Sequence, residues 1–150
     1  MKCINILLEK ETKNIATKLS KLVKKGDLIY LTGDLGAGKT LFTQAFAYGL
    51  GIREQITSPT FTIIKEYDGI IPLFHFDVYR IERLVQMDDL GYDEYFFGDG
   101  VCVIEWASII EEILPDGLWV EINVVGEKER KICFKGTNKY YEKMVEELLK

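Results

Sequence analysis

Gly33-Asp34-Leu35-Gly36-Ala37-Gly38-Lys39-Thr40 is the stretch on which the rest of the chain turns. It fits G-x-x-x-x-G-K-[ST], a pattern whose physical content is a backbone curled around an anion. The glycines let successive N–H groups converge on phosphates without Cβ clashes, and a helix starting at the end of the loop points its positive N-terminal end at the same charge. Lys39 then reaches the β- and γ-phosphates of a nucleotide, and the Thr40 hydroxyl ligates its magnesium. All eight residues are therefore candidate ATP contacts, with Lys39 also catalytic and Thr40 also a Mg2+ ligand. A glycine-rich turn can match such a short pattern by chance, so its flanks decide.

Both flanks agree with the pattern. Asp27 to Thr32 is an apolar, strand-like run ending at Gly33. Lys39 to Leu50 carries the wide apolar stripe of a helix packed on a sheet and stops at Gly49 and Gly51. Upstream, Ile4 to Leu8 reads as a short strand, and Thr12 to Lys24 places Ile15, Leu19, Leu22 and Val23 on one helical face that Gly26 closes. Downstream, Thr60 to Tyr67 and Ile70 to Tyr79 flank Asp68-Gly69 as a hairpin. Val101 to Trp106 is a further buried strand, Leu118 to Val125 and Arg130 to Phe134 form a C-terminal hairpin, and Tyr140 to Leu149 is a closing helix. This order predicts an α/β fold of the P-loop NTPase kind, a sandwich with a central mixed β-sheet flanked by helices.

At 150 residues and 47% hydrophobic content the chain has the size of a single P-loop domain spanning 1–150, with no repeat and no proline-rich linker. The cysteines, Cys3, Cys102 and Cys133, are three in number, far apart and free of any C-x-x-C spacing. That argues against a disulfide framework or a zinc cluster and for a reducing, cytoplasmic setting. Met1 to Leu8 is too short for a signal peptide core or a membrane span, so no membrane association is expected. The net charge is −5 and only Arg53, Arg80, Arg83 and Arg130 are arginines, which disfavours tight direct binding of nucleic acid. The dense basic run from Lys18 to Lys25 reads as the solvated face of a helix.

Hydrolysis needs more than a phosphate grip, because metal and attacking water need carboxylates at the ends of neighbouring strands. Phe74-His75-Phe76-Asp77 and Val101-Cys102-Val103-Ile104-Glu105 each end an apolar run in an acid. Pattern alone does not rank Asp77 against Glu105, and an acid that only marks a strand exit has the same appearance. Alternation puts His75, Asp77 and Tyr79 on one strand face. His75, the only histidine, reads as a hydrogen-bonded structural group rather than a general base, with no nucleophile beside it. Ser58-Pro59-Thr60 reads equally as a loop offering the Thr60 hydroxyl to metal or water and as a plain turn. Trp106 reads as core packing, with stacking on a base as the other possibility.

Taken together, GDLGAGKT (Gly33 to Thr40), SPTFT (Ser58 to Thr62), HFDVYR (His75 to Arg80) and IEWA (Ile104 to Ala107) resemble the TsaE family, also called YjeE. The resemblance covers most of the chain; each motif beyond the first is weak singly, and their order and spacing make the match specific. It implies an ATPase that works with the TsaB and TsaD proteins in threonylcarbamoyl modification of adenosine 37 of tRNA, reaching tRNA indirectly through that complex. By position it implies that Thr40 and Glu105 hold Mg2+, that Asp77 and Glu105 are catalytic, and that Thr60 lies in a switch-like loop. It also places Trp106, Glu11, Thr12 and Arg130 near the ATP. The family often carries an acid or related polar group soon after IEW, where this chain has Ala107-Ser108.

Two other enzyme classes fit less well. Small-molecule kinases of this fold use several lid arginines, and residues 107–150 contain only Arg130. A GTPase would need an aspartate to read guanine, and Asn138-Lys139-Tyr140-Tyr141 lacks it. A nucleotide-gated binding module with little turnover is the remaining alternative.

Overall fold

The computed structural model describes residues 1–57 and 63–150. Strands β1 (Lys2–Ile6), β2 (Leu28–Thr32), β3 (Ile64–Tyr67), β4 (Leu73–Asp77), β5 (Val101–Glu105), β6 (Leu118–Val124) and β7 (Arg130–Gly136) form one sheet in the order β1-β7-β6-β2-β5-β4-β3. β2 is central and parallel to β5 and β6, and β4 runs parallel to β5. The edges are antiparallel: β3 on β4, β7 on β6, and β1 on β7. The mixed sheet is the one expected, and both hairpins are present.

Helices α1 (Glu9–Ser20), α2 (Lys39–Gly49) and α5 (Lys139–Leu148) pack on one face; α3 (Val85–Asp89), α4 (Tyr92–Phe96) and a 3-10 helix (Ala107–Ile113) lie on the other. Alternation within β2 divides the two cores. Ile29 and Leu31 pack with Phe42, Phe46 and Leu19, whereas Leu28 and Tyr30 pack with Phe76, Phe96 and Ile104. Because both faces are covered, β2 and β5 are apolar in nearly every residue.

Three details differ from the sequence expectation. Helix α1 begins at Glu9 and ends at Ser20, short of Lys24, although Val23 is still buried in the core. The apolar period outlasts the helix because the chain turns at Lys21, and Gly26, at φ +91°, belongs to the next turn. Strand β1 stops at Ile6, and Leu7 and Leu8 are exposed. The cysteines are not all free: Cys3 and Cys133 are joined by a disulfide, and only Cys102 is a buried free thiol. Their separation of 130 residues gave no hint of this, yet antiparallel pairing of β1 with β7 sets Cys3 directly opposite Cys133. No helix among the described residues is long and apolar enough to cross a membrane.

Candidate functional site

In an open α/β sheet ligands bind beyond the carboxyl ends of the parallel strands, where connections leave the central strand in opposite directions. Here that edge receives the ends of β2, β4 and β5. Register fixes the neighbours: Leu31 of β2 pairs with Glu105 of β5, and Glu105 pairs with Asp77 of β4. The two acids thus end adjacent strands side by side, with the glycine loop leaving β2 next to them. Gly33, Gly36 and Gly38 adopt φ of +145°, +79° and +111°, conformations that a side chain would resist. Helix α2 begins immediately after, at Lys39.

Leu35, Gly36, Gly38, Lys39, Thr40, Asp77, Glu105 and Trp106 line one cleft of about 270 Å³. Lys39, 6% exposed, donates from Nζ to the carbonyl oxygens of Gly33 at 2.5 Å and Asp34 at 2.9 Å. The same Nζ lies 4.2 Å from the centre of the Trp106 ring, within cation–π range. Burial lowers the Lys39 pKa, opposed by the charges of Glu105, Asp34 and Asp77. Burial likewise raises the Asp77 pKa, against the hydrogen bond that its Oδ1 accepts from the Tyr79 N–H at 3.0 Å. Trp106 is the only non-glycine residue with positive φ (61°) among the described residues, and its ring centre is 4.8 Å from that of Tyr79. An aromatic residue held in the left-handed region is a genuine strain feature, and here it turns the indole over Lys39.

Glu105 is 3% exposed and is engaged from below by His75, whose Nε2 lies 2.5 Å from Glu105 Oε2. His75 therefore has the hydrogen-bonded role that the sequence suggested, although its partner could be named only from the strand register. The hydroxyl-bearing Thr40 is exposed at the first turn of α2. No group of three or more His, Cys, Asp or Glu able to hold a metal by itself occurs among the described residues. One hydroxyl with one or two carboxylates nevertheless fits magnesium, which keeps waters and shares phosphate ligands instead of entering an all-protein cage.

A second cavity, of about 440 Å³, opens on the other side of the glycine loop between Leu7, Leu8, Thr12, Ala37, Leu41 and Arg130. Its partly apolar wall and its position beside the loop suit a nucleobase and ribose. Arg130 donates from Nε to the Ala37 carbonyl at 3.2 Å and from Nη2 to the Gly36 carbonyl at 3.4 Å, bracing the loop from β7. Thr12 is a wall residue, but Glu11 is not: its Oε1 accepts from the backbone N–H groups of Leu7 at 3.0 Å and Leu8 at 2.9 Å. That carboxylate instead shapes the leucine wall and the start of α1. Thr60 lies outside the described residues. Leu7 and Leu8 escaped the sequence reading, since exposed leucines carry no spacing signal.

Comparison with known proteins agrees with this arrangement. The family model described as threonylcarbamoyl adenosine biosynthesis protein TsaE matches residues 7–132. The tRNA threonylcarbamoyladenosine biosynthesis protein TsaE of Bacillus subtilis (strain 168) is 54% identical over 140 residues, 92% of this chain and 87% of the relative. The TsaE protein of Treponema pallidum (strain Nichols) is 39% identical over 133 residues, 88% of this chain and 98% of the relative. Among solved structures, Bacillus subtilis YdiB superposes with a TM-score of 0.83 at 48% identity, covering 99% of this chain and 93% of that one. A match over so much of the chain, on a mixed sheet with a glycine loop at its parallel edge, makes this protein a member of the TsaE family.

Proposed function

We propose that this protein is an ATPase of tRNA threonylcarbamoyl modification at adenosine 37, binding and hydrolysing Mg-ATP in complex with TsaB and TsaD. The observation that carries the reading is the convergence of Lys39, Thr40, Asp77 and Glu105, drawn from three elements, on one cleft beside a glycine loop. The biosynthetic role is supported by the names of the relatives in Bacillus and Treponema, which are proteins of tRNA threonylcarbamoyladenosine biosynthesis.

In this reading the N–H groups of residues 33–40 and the start of α2 hold the phosphates. Lys39 Nζ leaves the Gly33 and Asp34 carbonyls for the terminal phosphate oxygens, and burial then strengthens that contact. Thr40 Oγ1 and Glu105 would hold magnesium, which when bound neutralises charge on the phosphoryl oxygens. Asp77, held by the Tyr79 N–H, orients the attacking water and accepts its proton, a role suited to a carboxylate whose pKa is raised by burial. Trp106 and Arg130 keep the lysine and the loop in place. Since Lys39 is satisfied by its own loop before any phosphate arrives, ATP has to displace both contacts, and that cost falls on ATP affinity. Comparing ATP hydrolysis by the protein alone with hydrolysis in the presence of TsaB and TsaD tests the proposal. Stimulation by the partners supports it, and equal absence of turnover in both favours a nucleotide-gated binding module.

A further inference from the structure

We infer that His75 is a positioning residue that fixes the carboxylate of Glu105 for the metal, an inference that rests on the nucleotide site just proposed. On β4, His75 lies two residues before Asp77 on the same strand face; on β5, Val103 pairs with His75 and Glu105 pairs with Asp77. The imidazole therefore sits diagonally beneath Glu105, on the inner side of the cleft, and does not line it. A carboxylate offers only acceptors, so Nε2 carries the ring proton and donates it to Oε2 over 2.5 Å. That bond fixes the carboxylate plane and leaves Oε1 to face a ligand.

The other ring nitrogen gives the independent argument. His75 is 1% exposed, and its Nδ1 has no hydrogen-bond partner among the described residues. A buried polar atom without a partner is destabilising, and an apolar side chain of similar size would avoid it. A buried polar group left unpaired in a folded protein calls for an explanation. The one side-chain bond it makes among the described residues goes to a carboxylate in the cleft. Partners of this kind behind a metal-binding group orient it and raise metal affinity about 10- to 100-fold.

The test compares His75→Gln, His75→Asn and His75→Phe. A glutamine amide extends to the region of Nε2 and can still donate to Glu105; an asparagine amide ends near Nδ1 and falls short. Affinity for a fluorescent ATP analogue is measured with Mg2+ and with EDTA, and the Mg2+ concentration for half-maximal effect is titrated. In the His75→Asn and His75→Phe variants, Mg2+ affinity should fall about tenfold or more, with affinity in EDTA unchanged within about twofold and a matching loss in kcat at limiting Mg2+. His75→Gln should recover most of the Mg2+ affinity. Equal Mg2+ affinity in the His75→Gln and His75→Asn variants overturns the positioning role, and this comparison decides even if His75→Phe does not fold. Mg2+-independent binding by the wild type overturns the site itself, and the role of His75 with it; the wild-type control separates that result from the first.

Discussion

Gly33→Ala is the substitution whose effect the structure determines most completely. Gly33 adopts φ +145°, where a residue with a Cβ is strained by about 1–3 kcal/mol. A Cβ there would also lie well under 3.0 Å from the carbonyl oxygen of Ile122 and 3.4 Å from the Ala37 Cβ. That oxygen belongs to β6, which is paired with β2 on one side and β7 on the other, so it has little room to retreat. Gly36→Ala is the internal control: φ is +79°, but nothing lies within 4 Å of the new Cβ, so it meets backbone strain alone, about 1 kcal/mol. Adding a backbone clash puts Gly33→Ala at about 3–4 kcal/mol, a large share of the roughly 5–15 kcal/mol that holds such a domain together. Urea unfolding of both variants, followed by circular dichroism, measures the difference. The expected result is a destabilisation by Gly33→Ala at least twice that of Gly36→Ala, with a midpoint lowered by about 6–15 °C in a thermal scan. Equal destabilisation would refute the view that the loop begins wedged against β6.

Two further outcomes follow from the site and the sheet. Glu105→Ala should spare much ATP binding and abolish most hydrolysis in steady-state assays, and Asp77→Ala should abolish hydrolysis as well; hydrolysis that survives Glu105→Ala would remove Glu105 from the metal site. Thiol titration of the folded, unreduced protein should find no fast-reacting cysteine, because burial pushes the Cys102 thiol far up and the others are bonded. After reduction the exposed Cys3 thiol should react fast and the buried Cys133 slowly, and unfolding stability should fall by up to about 5 kcal/mol by the entropy of so long a loop. Unchanged denaturation midpoints on reduction would contradict the structural role of that bond.

The parts of the fold legible in the sequence are those that local pattern encodes. Strand β2, the glycine loop and α2 were readable because an apolar run, a turn chemistry and an amphipathic stripe succeed one another within residues 27–50. Asp77 and Glu105 were readable as strand ends, but their adjacency is a matter of register between β4 and β5, which no local pattern specifies. The same holds for the bond between His75 and Glu105 and for Arg130 reaching the Gly36 and Ala37 carbonyls across 93 residues or more. Pairing of β1 with β7 joins the two ends of the chain, so neither it nor the Cys3–Cys133 bond left a signature in spacing. Helices α3 and α4, five residues each, are too short to show a period.

The central claim is that residues 33–40 grip a nucleotide triphosphate through Lys39. Isothermal titration of Mg-ATP into the wild-type protein and into Lys39→Ala measures this directly. The account predicts saturable one-to-one binding by the wild type and a loss of affinity of about tenfold or more in the variant, equivalent to about 1.4 kcal/mol or more. Wild-type affinity in a folded Lys39→Ala protein, or no heat of binding from the wild type alone or with TsaB and TsaD, would contradict it.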